Sequence, residues 1–69
     1  MPIIQAFLLE GRSAELKERF IAAVTDAAEQ SLGAPRESIR VIITEMPGTD
    51  FGIAGESVNA RRARQQQGS

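Results

Sequence analysis

Two apolar runs bracket one amphipathic segment in this chain, and each run carries apolar residues on both of its faces. The first is Pro2-Ile3-Ile4-Gln5-Ala6-Phe7-Leu8-Leu9, and the second is Ile39-Arg40-Val41-Ile42-Ile43-Thr44-Glu45-Met46. Both read as strands, the second being especially rich in β-branched residues. Along a strand Ile3 and Ile4 point in opposite directions, as do Ile42 and Ile43, so a single helix can shield only half of what these strands must bury. The uncovered face has to meet another copy of the chain, and a closed homo-oligomer is the economical way to arrange that.

The segment between the runs has the marks of one helix. Gly11 breaks the strand pattern and Ser13 is suited to cap the amides that follow. Leu16, Phe20, Val24 and Ala27, joined by Ala23 and Ala28, form a stripe at spacings of three and four, and Gly33 with Pro35 ends it near Leu32. Strand, helix and strand in this order predict a β-α-β unit with parallel strands and a right-handed crossover. Pro47-Gly48-Thr49-Asp50 signals a turn, and Phe51-Gly52-Ile53-Ala54-Gly55-Glu56 a tight hairpin. From Ser57 onward the expectation is a short helical turn and then a frayed polar tail. The fold class is therefore α/β (α+β), one domain over residues 1–63 with a tail at 64–69.

Composition narrows the possibilities further. A chain of 69 residues hides only about 60% of its unfolded surface, so it needs a staple. With no cysteine and no histidine, neither a disulfide nor the commonest zinc ligands are available, which leaves self-association. A net charge of −1 and a pI near 5.3 give no broad attraction to nucleic acid or to an anionic membrane. The N-terminal apolar run is shorter than the roughly 20 residues of a membrane span and lacks the basic flank of a signal peptide, so a cytoplasmic location is expected. No phosphate-cradling loop or ligand cluster points to a metal or organic cofactor.

Pro2 is the group most ready for chemistry. Methionine ahead of so small a residue is normally removed, which leaves Pro2 a free secondary amine held by its ring at the head of a strand. Taken together, Pro2, Leu8-Leu9-Glu10-Gly11-Arg12-Ser13, Arg40-Val41-Ile42-Ile43-Thr44-Glu45-Met46 and Phe51-Gly52-Ile53-Ala54-Gly55-Glu56 resemble the 4-oxalocrotonate tautomerase family, in order and at its spacing. The resemblance covers Pro2 to about Arg62. It implies a β-α-β subunit assembled as a homohexamer, a trimer of dimers, with sites shared between neighbouring chains and a place in aromatic hydrocarbon catabolism. It also implies a 1,3-proton shift on 2-hydroxymuconate or a similar 2-hydroxydienoate, a small enol carboxylate, with no cofactor. By position, Pro2 matches the catalytic proline, Arg12 and Arg40 the two substrate-binding arginines, Phe51 an apolar wall and Arg62 a C-terminal arginine.

The residue types suit that reaction on their own terms. Moving a proton from an enol oxygen to carbon needs a group that accepts and returns it near neutral pH. An α-amino group titrates at about 7.7–8.0; a secondary amine starts higher, and burial beside Phe51 together with nearby arginines would disfavour its charged form. Guanidinium groups grip carboxylates through paired hydrogen bonds, Arg12 at a distal carboxylate and Arg40 at the 2-oxygen with its adjoining carboxylate. Plainer readings compete. Arg12 can be a solvated loop residue, Arg40 half of an ion pair with Glu37 or Glu45 of another subunit, Phe51 core, and Arg61, Arg62 and Arg64 a basic end. Superfamily members that add water to acrylates use an arginine and a glutamate at the positions held here by Leu9 and Ile53, and two apolar residues cannot polarise water. The alternatives that stay open are a tautomerase for another enol, such as phenylenolpyruvate, and a non-catalytic oligomeric scaffold.

Overall fold

A computed structural model describes residues 1–67. Strand β1, Ile3–Leu9, leads into helix α1, Ala14–Leu32, and then, through a 3-10 turn at Arg36–Ser38, into strand β2, Arg40–Met46. A second 3-10 turn at Gly48–Asp50 precedes the short strands β3, Gly52–Ile53, and β4, Glu56–Ser57, and helix α2, Val58–Gln67, follows directly. β1 and β2 pair in parallel from Ile3 against Arg40 to Leu9 against Met46, while β3 and β4 form the antiparallel hairpin. This is the expected β-α-β unit with its hairpin.

Local chemistry explains the boundaries. The Ser13 side chain accepts from the Leu16 amide at 3.2 Å and starts α1, satisfying one of the orphan donors of its first turn. At the other end Gly33 takes the left-handed conformation, φ 67°, and its amide donates to the Glu29 carbonyl. The hairpin turn has positive φ at both central residues, Ala54 and Gly55, the type I′ geometry whose twist matches that of the strands.

The C-terminal segment differs from expectation. It is not one helical turn before a frayed tail, because α2 continues to Gln67. Two contacts account for the added length: Ser57 accepts from the Ala60 amide at 3.1 Å, and Arg64 binds the Glu56 carboxylate. Polarity alone concealed a helix stapled to the strand before it. The remainder of the expected tail, Gly68 and Ser69, lies outside the described residues.

Burial alternates along both strands. Ile4, Ala6, Leu8, Val41 and Ile43 are the better covered set, whereas Ile3, Phe7 and Ile42 are 59%, 60% and 48% exposed on the opposite face. Among the described residues only Ala28, Ile39 and Val58 are buried apolar side chains. The radius of gyration is 16.2 Å, whereas a compact chain of this length has about 11 Å. Its accessible surface of 5103 Å² likewise exceeds the roughly 4,200 Å² of a compact monomer of 7.5 kDa. A lone subunit is thus an open arm-and-sheet structure with half of its sheet uncovered.

Candidate functional site

The proposed groups divide between the two ends of the parallel sheet. At the N-terminal end stand Pro2 and Arg40, joined through the backbone where the Arg40 amide donates to the Pro2 carbonyl at 3.0 Å. Met1 is 77% exposed and lies ahead of β1, so its removal disturbs no strand pairing. Pro2 itself is half-buried. The Arg40 side chain lies on the exposed sheet face with Ile42, and its Nη1 donates to the Glu37 carbonyl at 2.6 Å. Within one chain Arg40 is held by the Glu37 backbone and Glu45 binds Lys17 at 2.8 Å, whereas the ion pair expected with Glu37 or Glu45 of another subunit is a contact between copies.

Arg12 and Phe51 belong to the other end. Arg12 follows the last residues of β1, is exposed, and donates from Nη1 to the Leu9 carbonyl at 3.1 Å. With Leu8, Leu16, Lys17 and Phe20 it lines a cleft of about 310 Å³ beside the first turns of α1. Phe51 is half-buried and accepts the Val58 amide at 2.8 Å, which ties the hairpin to the start of α2. Leu9 is half-buried, and Ile53 is 41% exposed. Arg62 is exposed on α2.

Separation within one chain follows from strand length. The seven residues of β1 span about 23 Å at the usual rise per residue, so Pro2 and Arg12 of the same copy cannot hold the two ends of one small dicarboxylate. One chain joins Pro2 to Arg40 by a backbone hydrogen bond but does not bring Arg12 to them.

Two charged pairs between elements have no signature in local spacing. Lys17–Glu45 joins α1 to β2 beside the Arg12 cleft, and Arg64–Glu56 joins α2 to β4. Spacing within one helix or strand cannot disclose either, since each partner lies on a different element. Arg36 bridges Asp26 and Glu29, and these contacts, with that to Asp26 leading, raise its pKa above the ordinary arginine value. This bridge fixes the turn that leads into Arg40. Among the described residues no cluster of acidic side chains could hold a metal ion, and no helix is long and apolar enough to cross a membrane.

Comparison with known proteins gives a consistent picture. Residues 2–61 match the family described as tautomerase enzyme. The chain is 58% identical over 60 residues to a 2-hydroxymuconate tautomerase of Stutzerimonas stutzeri, across 87% of this chain and 95% of that protein. Its fold is similar to that of the 4-oxalocrotonate tautomerase isozymes from Methylibium petroleiphilum, with a TM-score of 0.89 at 38% identity, covering 91% of this chain and 98% of the other. A heterohexamer 4-oxalocrotonate tautomerase from Chloroflexus aurantiacus is similar at a TM-score of 0.83 and 34% identity, over 86% of this chain and 95% of that one.

Proposed function

We propose that this chain, which belongs to the tautomerase family, catalyses a 1,3-proton shift that turns 2-hydroxymuconate or a related 2-hydroxydienoate into its 2-oxo isomer. With Met1 removed, the Pro2 nitrogen takes the enol proton and returns it to carbon, so the net change is an isomerisation and no cofactor is consumed. Arg40 draws electron density toward the 2-oxygen as the dienolate forms, and Arg12 anchors the distal carboxylate. Phe51 supplies apolar surroundings that keep the amine neutral. Arg62 adds a further cation for the anionic substrate. The reading places the protein in aromatic hydrocarbon catabolism in the cytoplasm.

The observation that carries this reading is the division of the site groups between the two ends of the sheet. Pro2 and Arg40 stand at one end and Arg12 and Phe51 at the other, on a subunit whose sheet is bare on one face. A site made of both pairs is completed by neighbouring copies, most simply in a homohexamer built as a trimer of dimers. The relative from Stutzerimonas stutzeri supports 2-hydroxymuconate as substrate. Leu9 and Ile53, being apolar, speak against hydration of acrylates at the same place.

An ultraviolet assay of ketonisation tests the proposal, with 2-hydroxymuconate and phenylenolpyruvate as parallel substrates. The expected result is a preference for the dicarboxylate, which Arg12→Ala lowers at least about tenfold because a hydrogen bond to a charged group is lost. Arg40→Ala should slow both substrates, and Pro2→Ala should cost more than either arginine. Equal rates on the two enols, untouched by Arg12→Ala, would instead point to an aryl pyruvate substrate; inactivity on both would leave only a scaffold.

A further inference from the structure

We propose that Arg64 is a positioning residue whose guanidinium neutralises Glu56 at the rim of the substrate site, so that the hairpin does not present a bare carboxylate to a dianion. The inference rests on the functional reading above. In the hairpin, Ile53 pairs directly with Glu56 across the type I′ turn, and such cross-strand partners project from the same face. Ile53 is 41% exposed on that face, and two residues before it stands Phe51, the expected apolar wall. Any substrate lying against Phe51 and Ile53 therefore has the Glu56 carboxylate for a neighbour. An acid there opposes the binding of every anion, and a dianion most.

Arg64 removes that opposition. Its Nε donates to Glu56 Oε2 at 3.0 Å and its Nη2 to Oε1 at 2.8 Å, the two parallel bonds of a bidentate pair. The side chains are 62% and 32% exposed respectively, and pairs so open contribute little to folding. The contact that ties α2 to β4 thus adds little net stability, and the same two bonds also cancel the charge of Glu56. Position 64 lies beyond the residues 2–61 that match the family, on the last turns of α2.

The test uses the whole, methionine-processed protein and two ligands that cannot tautomerise: muconate, a dianion, and cinnamate, a monoanion. Calorimetry on Arg64→Ala should show muconate binding weakened about three- to tenfold and cinnamate by about half that factor on a logarithmic scale, in line with a partly screened charge–charge effect. Arg64→Lys keeps the charge and should retain most of the affinity. Adding Glu56→Gln to Arg64→Ala removes the exposed carboxylate and should restore muconate binding, which a merely structural loss would not do. Equal weakening of the two ligands, no recovery in the double variant, or muconate affinity unchanged in Arg64→Ala would each overturn the inference. The two proposals fail separately: a protein inactive on both enols but showing this ligand pattern would refute the tautomerase reading and leave the role of Arg64 standing.

Discussion

Mixing two impaired variants should raise activity, and by a calculable amount. Pro2→Ala removes the base and Arg12→Ala the distal anchor, and neither substitution touches the apolar sheet face through which copies would associate. Suppose each site takes Pro2 from one copy and Arg12 from another, as the span of β1 requires. Unfold the two variants together in equal amounts and refold them, so that subunits redistribute at random. A given site then draws its Pro2 position from an Arg12→Ala chain half of the time, and its Arg12 position from a Pro2→Ala chain half of the time. About a quarter of the sites are wild type in both positions, and the mixture should show about a quarter of the wild-type rate.

The assay is the same ultraviolet ketonisation of 2-hydroxymuconate, run on each variant alone and on the refolded mixture, with simple mixing without unfolding as the control for exchange. If Pro2 and Arg12 of one copy made one site, every chain in the mixture would lack one of them, and the rate would stay at the mean of the two variants. Such a result refutes the shared site and the distance argument beneath it.

Three further outcomes follow from particular residues. Phe7 is 60% exposed on the bare sheet face, about 120 Å² of a phenylalanine's roughly 200 Å², which is about 3 kcal/mol per subunit if a neighbouring copy covers it. Phe7→Asp should therefore break the assembly and, with it, the fold, read as loss of mass by light scattering and loss of helical circular dichroism; an assembly of unchanged mass would contradict this. Ala54 sits at φ 53° in the hairpin turn, so Ala54→Asn, which creates the preferred Asn-Gly turn, should raise stability by about 0.5–1 kcal/mol in thermal unfolding. A Cβ at Gly48 would meet the end of the exposed Asn59 side chain, which can swing into solvent, so Gly48→Ala should change stability by less than about 1 kcal/mol in thermal unfolding, and a larger loss would show that Asn59 is held in place.

The sequence discloses those features that depend on near neighbours. Ser13 and Gly33 delimit α1 because capping is settled within four residues, and Ala54-Gly55 marks the hairpin for the same reason. The alternation of apolar residues in both strands correctly announces a sheet with one face left bare. The length of α2 was not legible, because Val58–Gln67 has no apolar stripe and is held by Arg64 reaching back eight residues to another element. The contacts within the chain were equally hidden: Glu45 is bound by Lys17, twenty-eight residues away, and Arg40 donates to the Glu37 carbonyl. Pairings of that kind are decided by which elements pack, and no local pattern carries them.

The candidate site adds a deeper reason. Its residues can be picked out one at a time, yet their grouping follows from the parallel register, which sets Pro2 and Arg40 at one strand end and leaves Arg12 and Phe51 at the other. The bare face carrying Ile3, Phe7 and Ile42 is what allows a second copy to approach. Covering that face supplies the burial that a chain this open lacks, and the same approach can set one copy's Arg12 near another copy's Pro2. On the proposed reading, stability and catalysis draw on one set of contacts, so a change to the sheet face must disturb both together.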